Sequence, residues 1–539
     1  METNKGNGFT DMPINGKKKD GWNEYADKWI YKPRGGIGFW RSLGFGSFSA
    51  YSMAMQGMVG TWLLFFYTNF CGLSAVQGAS IFAIGRVVDA FTTLLAGNVS
   101  DGFYKFKIGR RFGRRHIFLF SAAPASLVAI SMWVPGMQYW YYLLTYLVTN
   151  MLLSFLEIPY DTLSNEMTKD YNKRTKLSTA RMVLAGAFAP LVSWLIAMSF
   201  SIWSRTSTTP YIVSQTVISI IGFVLVLVTC FSTWEHFVTK EEAQITEKNT
   251  HQTAGKRQSF GQFFLSAVKS YFSTFKIKTY RIHLLIFGMS YLAASVWGTV
   301  FAYYTIDVLR QTASNTAYMQ MFSIVSIPVT LIAGWAITKL TPRSLYAIAY
   351  VPILVSCAGT VVLAMNQPSN ILLWLGIISF VYNIGQYILW FIPWNIFPFI
   401  PDLDTLVTGE NRSGVFASVM MFFYQTFSAL GSVVVGMLLD ASGFIKSKSG
   451  IVTQPGSAKV MIVGIISLGV GILILIALYG AIKFKLNQKN IKIVNQEVAR
   501  LKNGGDMADV DPETKRICNM LIGIDYDSIN VWKNSKRND

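Results

Sequence analysis

Four ionisable residues stand in stretches that are otherwise apolar: Arg86 and Asp89 in GRVVDAFTTLLAGNVSD (85–101), Glu157 in LEIPYDTL (156–163) and Arg181 in STARMVLAG (178–186). If these stretches cross a bilayer, a charge at the centre of a helix costs about 2.5–3.5 kcal/mol, and such residues usually face a cavity or a partner. Arg86 and Asp89 lie three positions apart, so they share a helical face and can pair. One reading is a structural ion pair that locks the second, fourth and fifth apolar segments together. An apolar replacement would often serve stability equally well. A solute or ion site is therefore the expectation.

The elements that must position these residues follow from composition. The chain has 539 residues, 52% hydrophobic and 14% charged, with a mean hydropathy of +0.38. Soluble proteins carry about 25% charged residues. Twelve apolar runs recur, near 44–69, 78–100, 117–134, 140–163, 178–200, 211–231, 284–306, 318–338, 345–365, 370–396, 413–439 and 460–482. Each is close to the ~20 residues that span a bilayer. The fold class expected is an all-α membrane protein of twelve transmembrane helices.

The net charge of +19 would suit a nucleic-acid binder, but its distribution argues otherwise. Lys and Arg concentrate in the loops 101–116, 164–177, 235–283, 339–343 and 484–502, while 70–77, 135–139 and 366–369 hold none. Alternation of that kind sets topology, with the basic loops on the cytoplasmic side. Both termini are expected there, and no nucleic-acid partner is expected. Residues 1–40 are polar and contain no apolar core, so no cleaved signal peptide is expected. Cys71, Cys230, Cys357 and Cys518 stand far apart without CxxC or metal-type spacing, and read as small packing residues. The sequence offers no nucleophile–base constellation, phosphate loop or metal cluster, which argues against an enzyme or an ATP-driven pump.

Internal repeats organise the runs. FFYT (65–68) echoes AYYT (302–305), IPYDTL (158–163) echoes IPWNIF (392–397), and KRTKLSTARM (173–182) echoes NRSGVFASVM (411–420), at offsets of 234 to 238. A duplicated six-helix bundle follows: an N-terminal segment 1–40, a first bundle 41–232, a central loop 233–282, a second bundle 283–483 and a tail 484–539. Parallel duplication suits an alternating-access carrier whose halves rock around a midplane site. On this register Arg86 maps to Ser323, Asp89 to Ser326, Glu157 to Phe391 and Arg181 to Val419. The second half is expected to have no Asp, Glu, Lys or Arg inside its spans, so the charges of the first half serve something other than packing.

Between the second and third spans lie Gly97, Asp101 and GRRFGRRH (109–116), with Arg114 and Arg115. Gly97 permits a close helix approach. Asp101 can cap the helix or pair with a loop arginine, a contact that would hold one conformational state and so gate the cytoplasmic side. Positive-inside charge alone is the plainer alternative. A hydroxylated solute would want aromatic faces together with amides, hydroxyls and charged forks. Asn383, Gln386, Trp390 and Gln425 supply such groups, as do Gln56, Tyr67, Tyr160, Trp394 and Asn395, and core packing stays open for each aromatic. Arg86 and Arg181 could instead clamp a carboxylate. Pro159 and Pro393 are matched interruptions of the two halves, as hinges or as plain kinks.

Residues 38–483 resemble the glycoside–pentoside–hexuronide:cation symporter family, a branch of the major facilitator superfamily that includes melibiose permease. The resemblance is carried by FFYTNFCGLS (65–74), GRVVDAFTTLLAGNVSD, GRRFGRRH, EIPYDTLSNEMTKDYNKRTKLSTAR (157–181) and NIGQYILW (383–390). It implies that Asp89 and Glu157 serve the cation, that Glu157 also serves the sugar, that Arg181 contacts sugar hydroxyls and that Trp390 lines the sugar cavity. Departures accompany these matches. In the family's R-x-x-D-A-x-x-D-P motif, Thr93 stands at the second aspartate and Leu94 at the proline. Asp161 takes the place of an aromatic that stacks on the sugar, Gln425 that of a lysine tied to the cation site, and Met53 or a neighbour that of a sugar-gripping aspartate.

The function expected is uptake of a sugar or glycoside by cation-coupled symport, with no cofactor and with the proton favoured over sodium as coupling ion because Thr93 removes one carboxylate. A monomer in the cell membrane is expected. Rivals are a lysophospholipid carrier of the same fold and a non-transporting sugar sensor. The tail is expected to be solvated, with one short docked helix starting at Asp511-Pro512-Glu513 and stopping at Gly523.

Overall fold

The computed structural model describes residues 22–33, 35–168, 171–203, 207–240, 243, 271–409, 412–448, 451–529 and 531–534. Most of the expected N-terminal segment and central loop lie outside these. Regular structure among the described residues is helical throughout. Twelve long helices run α1 (39–69), α2 (Ala75–Gly102), α3 (His116–Trp133), α4 (Tyr139–Met167), α5 (Tyr171–Ile202), α6 (Thr209–Ser232), α7 (Lys278–Val308), α8 (313–339), α9 (Pro342–Asn366), α10 (Ile371–Thr408), α11 (Ser413–Ala441) and α12 (Gly456–Lys483). Ten are long and apolar enough to cross a membrane. The other two are α1, rich in Ser and Gly, and α2, which carries Arg86 and Asp89.

Within each half, α1 packs on α5 and α6, α2 on α4, α7 on α11 and α12, and α9 on α10. Between halves, α2 packs on α11 and α5 on α8. Those two pairs exchange under the duplication, since α2 corresponds to α8 and α5 to α11. The bundles therefore meet along two equivalent seams. Pro159 and Pro393 lie inside continuous helices.

Hydrogen bonds that join the bundles gather at the face opposite the basic loops, where 70–77, 135–139 and 366–369 hold no Lys or Arg and 440–459 hold Lys446, Lys448 and Lys459. The Asp440 carboxylate accepts from the N–H groups of Ala75 and Val76 at 2.9 and 3.0 Å, answering the positive end of α2. The N–H of Gly72 donates to the Ser447 carbonyl, and the N–H of Ser447 to the Thr68 carbonyl, each at 2.9 Å. The hydroxyls of Thr68 and Tyr303 lie 3.0 Å apart, and Ser314 donates to the Ala197 carbonyl at 3.0 Å. This face is sealed. Helix α7 continues past the expected end at 306, so Asp307 falls inside the span and is buried. The expectation that the second half keeps no charge within its spans is corrected there and again in α10, where Asp404 is buried and pairs with Arg412 at 2.7 Å.

At the charged-loop face each bundle has its own brace. On the first, Trp29 stacks on Phe231 at 5.5 Å, Tyr31 donates to the Arg110 carbonyl at 2.8 Å, and the N–H of Glu235 donates to the Ile30 carbonyl at 2.9 Å. On the second, the described tail forms two longer helices, α13 (Gln488–Lys502) and α14 (Pro512–Ile522), and a short one over Val531–Asn534, rather than one. Asp511 caps α14 by accepting from the N–H groups of Glu513 and Thr514, and Gly523 ends it at φ 78°. Ile491, Val494, Val498 and Leu501 of α13 and Ile517, Cys518, Leu521 and Ile522 of α14 are buried together in the core. The pair docks through Thr279, which donates to the Leu521 carbonyl at 2.6 Å, and Trp532, which donates to the Leu406 carbonyl at 2.7 Å.

Glu497 ties this cap together. Arg500 donates to both its oxygens at 2.9 and 2.7 Å, and the Tyr526 hydroxyl donates to it as well. Burial by itself would raise the Glu497 carboxyl, but the Arg500 and Tyr526 bonds outweigh it and hold the group below the ordinary carboxylate range. A depressed carboxyl contributes stability that is present above its unfolded value, and loses it as pH falls through the folded one. Protection of the amides in 488–534, taken relative to exchange of the unstructured chain at each pH, should therefore be flat from neutral pH to about pH 5 and fall only below it. Glu497→Ala should expose the segment to protease at neutral pH. Unchanged protection in that variant would remove Glu497 as the tie.

Candidate functional site

Two close approaches build the wall contributed by the first bundle. A Cβ on Gly46 would lie 2.8 Å from the Ala180 carbonyl oxygen, so α1 and α5 meet backbone to side one residue before Arg181. A Cβ on Gly85 would meet the Tyr146 ring at 2.3 Å, which seats α2 on α4 one residue before Arg86. Glycine is required at both crossings.

Arg181 donates to Asp161 at 2.5 Å, and its guanidinium lies 5.2 Å over the Tyr160 ring. Tyr160 stacks on Phe45 at 4.9 Å and donates to the Phe45 carbonyl at 3.1 Å, fixing that ring under the cation. Ser154 donates to Asp89, joining α4 to α2. Glu157 lies within electrostatic reach of Asp161, Arg181, Asp89 and Arg86, and Arg86 within reach of Tyr146, Tyr424, Asp89 and Glu157. Arg86, Asp89, Glu157, Asp161 and Arg181 thus form one cluster of two cations and three carboxyls. Thr93 sits one turn along α2 from Asp89, half-buried.

Arg181 is ten residues into α5, about 15 Å along the helix from the charged-loop face. The Arg181 and Asp161 side chains are nevertheless 38% and 42% exposed. A pair so deep and so open borders an aqueous cavity, and with the opposite face sealed that cavity communicates with the charged-loop face.

The wall from the second bundle is aromatic. Tyr291 stacks on Trp390 at 5.9 Å, meets Tyr424 edge-on at 4.9 Å and receives a hydrogen bond from Trp394 at 3.0 Å. Tyr424 lies within electrostatic reach of Arg86 and Glu157, which sets the two walls opposite each other. The Trp390 indole N–H is buried and has no hydrogen-bond partner among the described residues. Gln425 is half-buried beside Tyr424. Asn383 turns back on its own helix, donating to the Ser379 carbonyl at 2.7 Å. Gln386 is buried and accepts from the Tyr382 hydroxyl at 3.1 Å, under a ring stacked on Trp297 at 3.8 Å. The structure therefore gathers Trp390 with the aromatic wall and leaves Gln386 inside the second bundle. Tyr291 and Tyr424 escaped sequence reasoning; the tyrosine next to Gln425 in an otherwise Phe-rich run was the available signal.

Arg114 and Arg115 both pair with Glu166 at the end of α4, Arg114 at 2.8 Å. Glu235 accepts from the N–H groups of Arg114, Arg115 and His116 at 2.5, 2.9 and 3.1 Å, an anion seated at the start of α3. Gly97 and Asp101 lie on α2, and their side chains fall outside the described ones.

Twelve helices in two like bundles around a polar cavity define a secondary carrier of the major facilitator type, a membrane transporter and not an enzyme. The chain matches the family described as MFS/sugar transport protein over residues 44–488, and it belongs to that family, within the glycoside–pentoside–hexuronide branch. It is 25% identical over 400 residues to the uncharacterized symporter YnaJ of Bacillus subtilis (strain 168), covering 72% of this chain and 80% of that one. It is 23% identical over 402 residues to the glucuronide carrier protein homolog of Escherichia coli (strain K12), covering 72% and 80%. The solved D-xylose-proton symporter shares the fold, with a TM-score of 0.54 at 13% identity over 84% of this chain and 97% of that one.

Arg181→Ala should cut uptake by roughly tenfold or more while leaving the purified protein monodisperse, and Arg181→Lys should not restore it, because a point charge cannot replace the planar fork. Near-normal uptake in the alanine variant would take Arg181 out of the site.

Proposed function

We propose that this protein takes up a neutral sugar or glycoside together with a proton across the cell membrane, as a monomer with both termini cytoplasmic. The supporting observation is the Arg181–Asp161 pair facing the aromatic wall. A guanidinium already engaged by a carboxylate at 2.5 Å has less to offer a uronate, and keeps N–H groups for neutral hydroxyls. The E. coli relative is named for a glucuronide; here Asp161 argues for uncharged substrates. In this reading the sugar ring lies on Trp390 and Tyr424, and its hydroxyls reach Arg181, Asp161 and Glu157. A wall of five ionisable side chains suits a polar solute better than a lipid chain, which disfavours the lysophospholipid alternative.

The basic loops favour a cytoplasmic position for the open mouth, and on that reading this conformation is inward-facing. Transport then consists of breaking the seal between α1–α2 and α7–α11 while the charged-loop ends of the bundles close. Arg114 and Arg115, held by Glu166, form a brace that must be intact for closure. Arg114→Ala should lower the maximal rate several-fold with a smaller change in apparent affinity, since a gating group shifts the balance of states rather than the site. A pure affinity loss at unchanged maximal rate would contradict the gating role.

Coupling rests on Asp89 and Glu157. Thr93 offers a neutral hydroxyl where a second α2 carboxylate would strengthen a sodium site, and sodium wants several hard oxygens. Uptake into vesicles, with the pH gradient and the sodium gradient imposed separately, should follow the pH gradient and survive Thr93→Ala. Accumulation driven by sodium alone, and abolished by Thr93→Ala, would reverse the assignment. Counterflow of labelled substrate would separate a carrier from a sensor.

A further inference from the structure

We propose that Asp307 is a second proton-binding site, built into the sealed face and distinct from the coupling carboxyls of the cavity. It closes the helix that carries Tyr303, in a wide turn spanning Tyr304–Val308. The residue is 6% exposed, and neither carboxylate oxygen has a hydrogen-bond partner among the described residues. Asp440, at the same seal, differs in both respects: it is half-buried and takes two backbone N–H groups. One acid of the seal is answered and the other is not.

The surroundings of Asp307 offer little to hold a negative charge. From its own helix come Tyr303 and Tyr304. Tyr211 of the opposite bundle and Lys459 of α12 lie within electrostatic reach, and Asp440 of α11 reaches Tyr303. Lys459 makes no ion pair with Asp307 among the described residues. Tyr303 gives its hydroxyl to Thr68 across the seam, and Thr305 and Thr316 satisfy each other at 2.7 Å. A charged carboxylate here would surrender its water without gaining a donor, so the closed seal selects the protonated acid. Parting α1 from α7 would admit water and release the proton to the side that has opened.

The consequence is a seal whose closure takes up one proton at Asp307. Calling that side extracellular rests on the orientation proposed above. Acid outside would then favour closure, and the proton would return to the same side at each reopening. It sets the resting state of the gate without adding to the coupled ion.

Spin labels at Met137→Cys and Lys446→Cys, both exposed on this face in opposite bundles, report the seal by pulsed-dipolar distances in nanodiscs, where both faces meet one pH. Between pH 5.5 and 8.5 the closed-to-open ratio should fall as pH rises, by at most about tenfold per pH unit for a single proton. Asp307→Asn, neutral and of equal size, should stay closed across the series, and in a Glu157→Gln background, which removes a coupling carboxyl, a pH dependence should remain that Asp307→Asn abolishes. A wild-type ratio that does not move with pH would overturn the proposal, as would an Asp307→Asn protein that keeps the wild-type dependence. If Asp307→Asn is not recovered folded, the wild-type and Glu157→Gln series decide: loss of the dependence in Glu157→Gln assigns the proton to the cavity and overturns the proposal. Labelling of Lys446→Cys in sealed vesicles with an impermeant maleimide reads the orientation separately, so a reversed topology cannot be mistaken for a silent Asp307.

Discussion

An arginine held among helices in a membrane must be answered by a carboxylate, and here the answer comes from the same bundle. Arg181 on α5 meets Asp161 on α4, while Arg86 shares its helix with Asp89 and lies within reach of Glu157. The charge balance of the cavity is thus settled inside the first bundle. The second bundle needs to supply no counter-charge and contributes aromatic rings instead. This division lets the two halves separate and rejoin without breaking an ion pair across the cavity, which would otherwise tax every cycle of a cation-coupled sugar symporter.

What holds the halves together lies elsewhere. The seal at the face opposite the basic loops is made by Thr68, Gly72, Ala75, Val76 and Ala197 on one side and Tyr303, Ser314, Asp440 and Ser447 on the other. Each bundle also carries a brace at its opposite end, residues 22–33 on one and α13–α14 on the other. Both braces bind helices of a single bundle. They stiffen the bodies that move and leave the seam between them untouched.

The fold was legible in the sequence because its signals are strong. Twelve apolar runs, alternating basic loops and an offset of 234 to 238 residues leave few other architectures. The charged half of the site was legible for the same reason: an ionisable residue in an apolar run is conspicuous, and Arg86, Asp89, Glu157 and Arg181 converge. The aromatic half was not, because Tyr291 and Tyr424 are tyrosines among many in spans rich in rings. Gln386 illustrates what a sequence does not display: the oxygen of its amide is engaged by Tyr382, its own neighbour one turn away. Asp307 was hidden by a single residue of helix length. The second tail helix, α13, hides behind its lysines, although Ile491, Val494, Val498 and Leu501 follow helical spacing.

Most of the seal's hydrogen bonds use main-chain groups: the N–H of Gly72, Ala75, Val76 and Ser447, and the carbonyls of Thr68, Ala197 and Ser447. Two of these bonds, Gly72 N–H to the Ser447 carbonyl and Ser447 N–H to the Thr68 carbonyl, join main chain to main chain and survive drift in the neighbouring side chains, while the others also need Asp440 or Ser314. The cavity is the opposite case, since its walls consist of side chains and each replacement alters what can lie between them. A carrier divided in this way can exchange its preferred sugar by substitution in α4, α5, α10 and α11, and inherit a working gate unchanged.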